Sequence, residues 1–186
     1  GAEVSIDIAG IAASTRADST GAWHATLPAI PAGGPYTLSV KDSSGISTYE
    51  DILIGDVILC SGQSNMEFPV YRALNPDRVI EAATNPKLRL MTVPQVTSIT
   101  PLKTLPEGTV WEGATPETVR DFSAVCYLSG KALQEDRDVP VGLIDASWGG
   151  SQIEAWLSAD DLEHVGGFSA QLHQLSLYAS DKHAAM

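Results

Sequence analysis

The stretch Gly55-Asp-Val-Ile-Leu-Cys-Ser-Gly-Gln-Ser-Asn-Met-Glu-Phe68 decides how the rest of the chain is interpreted. Its apolar part, Val57 to Cys60, is short and aliphatic, which is typical of a strand buried on both faces of a parallel sheet. A polar turn that contains a glycine follows directly. Because open α/β sheets place ligand chemistry at the carboxyl ends of their strands, Ser64 is a candidate nucleophile at that edge. The competing interpretation is an ordinary strand-to-turn junction in which Ser64 caps a helix.

A second block, Ile144-Asp-Ala-Ser-Trp-Gly-Gly-Ser-Gln-Ile-Glu-Ala-Trp156, follows another apolar strand later in the chain. Attack on an ester carbonyl creates an oxyanion, which needs preorganised N–H donors. Glycine lets the backbone approach a ligand closely, so Gly149 and Gly150 are candidate donors beside Ser64, whose own N–H is another. The alternative is a tight turn that requires a positive φ at this pair.

Both blocks resemble the sialate O-acetylesterase family of the SGNH-type hydrolases. The first block differs from the G-x-S-x-G elbow of the α/β-hydrolases, because Met66 stands where the second glycine would be. The resemblance implies that Ser64 is the catalytic nucleophile and that one glycine of the pair belongs to the oxyanion hole, with Gly150 favoured. The predicted substrate-binding residues are Gln63, Asn65 and Gly149.

The function that this resemblance implies is that of a carbohydrate esterase, which removes O-acetyl groups from sialic acid or a related sugar by serine catalysis. The alternatives are an acetyl xylan esterase and a non-catalytic carbohydrate-binding fragment that lacks its base. The expected partner is an acetylated carbohydrate, and no cofactor is expected. The family resemblance favours a periplasmic or extracellular location.

A serine nucleophile needs a base, which is usually a histidine oriented by a carboxylate. The family that the blocks resemble supplies these late in its sequence, in a Gly-Glu-x-Asn block and an Asp-x-x-His block. Asp161-Leu-Glu-His164 has the second spacing, but it follows Gly150 without an intervening strand, and Asp161 has an ordinary role in a first helical turn. We therefore expect the catalytic Asp and His to come from the remaining part of the same enzyme, as a second chain or a missing segment.

Two regions of different pattern are predicted. Residues 1–54 alternate between apolar and polar residues around Val4–Ile8, Trp23–Leu27 and Tyr36–Val40, which indicates about five antiparallel strands in a small β-sandwich segment with Trp23 in its core. Residues 55–186 are predicted to be the N-terminal part of an SGNH-type hydrolase domain. The implied fold is a three-layer, flavodoxin-like α/β sheet that is incomplete in this chain.

Four elements are predicted within the second region besides the strand before Ser64. Asn75-Pro76-Asp77 has the composition of a helix start, and an amphipathic pattern predicts a second helix. This helix is expected to present Phe122, Val125, Cys126, Leu128 and Leu133 on its apolar face. The predicted ranges are a helix over 78–83, a strand over 88–93, a helix over 123–134 and a strand over 139–145.

Composition excludes several classes of partner. The net charge of −12 disfavours nucleic acid and acidic membrane surfaces, and no apolar run is long enough to span a bilayer. Cys60 and Cys126 lie in apolar surroundings without framework spacing, so they are predicted to be buried free thiols rather than a disulfide. No metal site is predicted, because the histidines lack ligand spacing; they are His24, His164, His173 and His183.

Overall fold

A computed structural model describes residues 1–98 and 100–180 and contains two four-stranded β-sheets. The strands are β1 (Glu3–Ile8), β2 (Ile11–Arg16), β3 (Gly33–Asp42), β4 (Gly45–Ile54), β5 (Asp56–Gly62), β6 (Asn85–Thr92), β7 (Glu112–Ala114) and β8 (Val141–Ser147). The helices are α1 (Ser64–Glu67), α2 (Pro76–Glu81), α3 (Pro116–Arg120), α4 (Ala124–Arg137), α5 (Ala159–Val165) and α6 (Ser169–Ser180). The predicted mixed α/β character is confirmed.

The first sheet is antiparallel, with the strand order β2-β1-β3-β4. The alternation in β1 sorts its side chains as the sequence predicts, because Val4, Ile6 and Ile8 are buried. β4 ends at Ile54 and β5 begins at Asp56. The division of the chain into two domains at this point stays a prediction.

The segment around Trp23 is not a strand, which corrects the sequence prediction. Residues 23–32 contain no strand or helix, and Trp23 is 44% exposed rather than buried in a core. The strand that pairs with the outer edge of β1 is instead β2, which the sequence analysis did not predict. Alternation alone misled here, because only a segment that hydrogen-bonds to a neighbouring strand turns one face towards a core.

The second sheet has the order β5-β8-β6-β7. β5 and β6 both run parallel to the central β8, while β7 is a short antiparallel strand at the edge beside β6. The register pairs Gly62 with Ser147 and Thr92 with Asp145. The carboxyl ends of the three parallel strands therefore lie together at one edge.

The predicted helices form, but their faces differ in part from the prediction. Pro76 begins α2, and the Ser123 hydroxyl accepts a hydrogen bond from the N–H of Cys126 at the start of α4. Val125 and Leu128, predicted on the apolar face of α4, are exposed. The buried face contains Phe122 of the preceding turn and, within α4, Cys126, Tyr127 and Gly130.

Cys60 and Cys126 form a disulfide, so the prediction of two free thiols is wrong. α4 packs on the same core cluster as β5 and brings the two Cα atoms to 5.8 Å, although the cysteines are 66 residues apart in sequence. The bond attaches the strand that precedes Ser64 directly to α4. Sequence spacing could not reveal this pairing, because it depends on how helix and sheet pack.

One face of β5 is open, which corrects the prediction of a strand buried on both faces. Val57 and Leu59 are 63% and 65% exposed, whereas Cys60 is buried and Ile58 packs against the core. β5 lies at the end of the sheet order. The core fills only one side of the sheet here, and no described helix covers the other side of β5.

Candidate active site

Ser64 is exposed and lies just beyond the carboxyl end of β5. The chain leaves the strand at Gly62, whose φ of +148° favours glycine, and enters the single helical turn α1. The carbonyl of Gln63 accepts the backbone N–H groups of Met66 and Glu67 at 2.9 and 3.0 Å. This turn holds the Ser64 hydroxyl at the rim of the sheet rather than in the core.

The glycine pair that follows β8 lies directly against this turn. The N–H of Trp148 donates to the carbonyl of Gly62 at 2.9 Å, so the two chain segments stay paired beyond the ends of their strands. A Cβ placed on Gly149 would lie 3.4 Å from the Cα of Ser64. The two blocks that the sequence analysis singled out are therefore in contact.

Gly149 and Gly150 are required for different steric reasons. A Cβ on Gly149 would lie only 2.2 Å from Oε2 of Glu67, so the space beside this residue is taken. Gly150 has open space around it, but its φ of +76° is in the left-handed region. The alternative interpretation of a tight turn with a positive φ thus describes Gly150, while Gly149 permits a close approach.

The backbone donors at this edge are not equally free. The N–H of Gly149 donates to Oε2 of Glu67 at 2.6 Å. Within residues 1–98 and 100–180, no group accepts the N–H of Gly150 or of Ser64. Two unpaired donors beside an exposed hydroxyl are the elements that acyl transfer needs to hold an oxyanion.

A third loop reaches the same place from the end of β6. Nε2 of Gln95 donates to Oε1 of Glu67 at 2.7 Å and lies 3.3 Å from the carbonyl oxygen of Ser147, which it also donates to. Sequence reasoning missed the contact between Glu67 and Gln95 at this edge. The available signal was their position, since each follows a parallel strand within a few residues and such strand ends share one edge.

Asp145 is a buried acid immediately behind this edge. It is 7% exposed, and its Oδ1 accepts both the hydroxyl and the N–H of Ser147, at 2.6 and 3.1 Å. Burial raises the pKa of Asp145 above its ordinary value; the bonds from Ser147 oppose this rise, and the negative charge of Glu67 adds to it.

α1 is anchored to the start of α4. The hydroxyl of Ser123, which is fully buried, donates to the carbonyl of Met66, and the N–H of Ala124 donates to the carbonyl of Phe68 at 2.8 Å. Together with the Cys60–Cys126 disulfide, these bonds fix both ends of the segment that carries Ser64.

The remaining predicted substrate-binding residues, Gln63 and Asn65, flank Ser64 and are exposed. Nε2 of Gln63 donates to the carbonyl of Ser151, directly after the glycine pair. Gln63 therefore bridges the two blocks, while Asn65 lies on the open side of α1.

Asp161 and His164 both belong to α5, and Asp161 takes part in the cap at its N-terminus. The carboxylate of Asp161 accepts the hydroxyl of Ser158 at 2.6 Å, and its N–H donates back to that hydroxyl at 3.1 Å, which is an N-terminal cap of α5. His164 is exposed in the last turn of the same helix. In the part of the chain that the structure describes, no group of three or more His, Cys, Asp or Glu side chains is placed to hold a metal ion; His183 lies outside that part.

The chain has relatives among known proteins, although no protein-family model matches it. It is 32% identical over 155 residues to the sialate O-acetylesterase of Mus musculus, an alignment that covers 77% of this chain and 29% of that protein. For the sialate O-acetylesterase of Homo sapiens, the identity is 33% over 155 residues, covering 77% of this chain and 30% of that protein. The chain thus spans less than a third of the length of these curated relatives.

The fold also matches a solved structure, that of a carbohydrate acetylesterase from Xanthomonas citri. The TM-score is 0.82 with 40% sequence identity, and the match covers 87% of this chain and 37% of that one. Among the described residues, no helix has the length and apolar character needed to cross a bilayer. In sequence and in fold, the chain is thus similar to sialate O-acetylesterases and to a carbohydrate acetylesterase, the resemblance that its two sequence blocks predicted.

Proposed function

We propose that this chain carries the nucleophile and the oxyanion hole of a carbohydrate esterase that removes O-acetyl groups from sialic acid or a related sugar. The observation that supports this proposal is the contact between the Ser64 turn and the Gly149–Gly150 turn, with the N–H groups of Ser64 and Gly150 unpaired. The names of the related proteins support an acetyl ester of a sugar as the substrate.

In the proposed reaction, Oγ of Ser64 attacks the acetyl carbonyl carbon while a base takes the hydroxyl proton. The carbonyl oxygen becomes an oxyanion that accepts the N–H groups of Gly150 and Ser64. The bond to the sugar oxygen then breaks, and that oxygen receives the proton from the protonated base. Water hydrolyses the acetyl-Ser64 ester by the same route, which releases acetate and restores the hydroxyl.

The base and its orienting carboxylate are proposed to come from the remaining part of the enzyme. Among the described residues, no histidine forms a hydrogen bond with Ser64, and Asp161 is engaged in capping α5. The curated relatives are more than three times as long as the matched region, which leaves room for those groups.

We propose that this remaining part also covers the open face of β5. The complete fold that we propose is a three-layer, flavodoxin-like SGNH hydrolase sheet, incomplete in this chain, preceded by a small antiparallel β-sandwich segment. Exposed Val57 and Leu59 at the end strand support this proposal, because paired aliphatic side chains of a parallel strand are normally covered.

The disulfide supports a location outside the cytosol. Disulfides such as Cys60–Cys126 persist in oxidising compartments and are rare in cytosolic proteins. A periplasmic or extracellular location is therefore proposed, in agreement with a polysaccharide or glycan substrate. Acetylated xylan is the alternative substrate, and a non-catalytic carbohydrate-binding fragment is the alternative role.

The test uses the product of the complete open reading frame and residues 1–186 in parallel, with p-nitrophenyl acetate and a fluorophosphonate probe. The complete product is expected to hydrolyse the ester and to be labelled at Ser64, and Ser64→Ala should lose about 10⁴-fold or more in rate. Residues 1–186 alone should be nearly silent. Ser64→Ala with full activity would refute the nucleophile, and fast labelling of residues 1–186 would refute an external base. Comparing acetylated sialic acid with acetylated xylan then separates the two substrates.

A further inference from the structure

Glu67 is the point at which the three strand-end loops of the second sheet meet. It belongs to the loop after β5, its Oε2 accepts the N–H of Gly149 after β8, and its Oε1 accepts the amide of Gln95 after β6. Each carboxylate oxygen thus holds one loop, at 2.6 and 2.7 Å. Charge-assisted bonds of this length are among the stronger hydrogen bonds in proteins.

The bond to Gly149 determines which amide is left for a substrate. Because the N–H of Gly149 is occupied, the next donor in the turn, Gly150, is the one without an acceptor among the described residues. Gly149 must also lack a side chain for Glu67 to reach it, since a Cβ there would lie 2.2 Å from the carboxylate oxygen. The first glycine of the pair therefore permits the bond to Glu67, and the N–H of the second is the one available to an oxyanion.

We propose that Glu67 is a positioning residue of the esterase site, which holds the Gly149–Gly150 turn against Ser64 so that the N–H of Gly150 faces the oxyanion. This inference rests on the proposed function. The role needs the reach of the side chain and an acceptor oxygen directed at the N–H of Gly149, and it requires no proton transfer by Glu67 itself.

Two variants of Glu67 separate the effect of its side-chain length from the effect of its negative charge. Glu67→Asp keeps the negative charge but is one methylene shorter, so it cannot span the distance to Gly149. Glu67→Gln loses the charge but keeps the length, and its amide oxygen still accepts the N–H of Gly149. Gln95→Ala is the control, because it removes the other partner of the carboxylate and leaves the bond to Gly149 in place.

The variants are compared in the product of the complete open reading frame, with p-nitrophenyl acetate as substrate. Since an oxyanion donor contributes about 10²–10³ to kcat, we expect Glu67→Asp to lower kcat on the order of 10²-fold with little change in KM. Glu67→Gln and Gln95→Ala should stay within about fivefold of the unmodified protein. The proposal would be overturned if kcat fell equally in Glu67→Asp and Glu67→Gln, or only in Glu67→Gln. Either result would mean that the site needs the negative charge of Glu67 and not only the length of its side chain.

A second readout does not depend on activity. Hydrogen–deuterium exchange of a peptide that covers residues 148–151 should stay slow in Glu67→Gln and become faster in Glu67→Asp. Unchanged exchange in Glu67→Asp would refute the contact itself. If exchange responds as expected but Ser64→Ala remains active, the contact is correct and the esterase proposal is wrong, so the two failures are distinguishable.

Discussion

At the scale of single residues, the site depends on two adjacent glycines that are required for different reasons. Gly149 and Gly150 are adjacent, yet the first is required by the close approach of Glu67 and the second by a φ of +76°. Ser64 is exposed beside this pair, whereas Asp145, near the end of β8, is buried. Two adjacent residues of the same type can therefore have different roles, because their surroundings differ.

The raised pKa of Asp145 makes a prediction about stability and pH. The folded protein binds the proton of this carboxyl more tightly than the unfolded chain does, since burial penalises the charged form. Its contribution to stability is therefore fully present below the ordinary pKa and is lost as pH rises through the raised pKa. Asp145→Asn has no proton to release, and its amide oxygen can still accept from Ser147.

We expect the free energy of unfolding of Asp145→Asn, relative to the unmodified protein, to increase as pH rises above the ordinary pKa of an aspartate side chain. Urea unfolding at a series of pH values measures this difference, and Asp136→Asn, the same substitution at an exposed position on α4, is the control. A relative stability of Asp145→Asn that falls with rising pH would contradict the assignment.

At the scale of elements, a strand and a helix support the turn that carries Ser64. The Cys60–Cys126 disulfide connects β5 to α4, and the Ser123 hydroxyl connects the start of α4 to α1. α4 in turn packs closely on β8, because a Cβ on Gly130 would lie 2.4 Å from a methyl carbon of Leu143. Both blocks are thus held by the same helix.

The disulfide leads to a prediction about thiols and stability. Under denaturing conditions without reductant, the oxidised protein should show no reactive thiol, and it should show two after reduction. Removing a disulfide that closes a long loop typically costs about 2–5 kcal/mol, so Cys60→Ala/Cys126→Ala should lower the free energy of unfolding by an amount in this range. Two reactive thiols in the protein purified without reductant would show that the cysteines are unpaired.

At the scale of the whole molecule, an ion pair links the two sheets. Arg89 of β6 bonds both carboxylate oxygens of Asp51 of β4, at 2.7 and 2.8 Å. Because Asp51 is largely exposed, this pair contributes at most about 1 kcal/mol. The larger feature is the open face of β5, where exposed aliphatic side chains lie on a sheet whose other face is packed.

Substitutions of adjacent residues on β5 test, in residues 1–186, whether one face of this strand is open and the other is packed. Leu59→Ala on the open face should cost less than about 1 kcal/mol in the free energy of unfolding, whereas Ile58→Ala on the core face should cost about 2 kcal/mol or more. Chemical denaturation of the two variants measures both values. Equal costs would mean that the face of Leu59 is covered, as by self-association, which sedimentation velocity would reveal. In the complete gene product, the cost of Leu59→Ala should rise.

The amino-acid sequence by itself determined the local features of this protein. The position of Ser64 after a strand, the glycine pair after another strand and the proline start of α2 follow from residue types and short spacings. These features depend on backbone conformation and on neighbours a few residues away, which a sequence displays directly.

Only the tertiary structure decided which distant residues meet. The Glu67–Gly149 bond joins residues 82 positions apart and the disulfide joins residues 66 positions apart, so no local pattern shows either contact. The exposure of Leu59 and of Trp23 likewise depends on which elements pack over them, and an apolar side chain is the same in the sequence whether or not it is covered. Long-range contacts arise from the order of strands and the placement of helices, and these determined the geometry around Ser64.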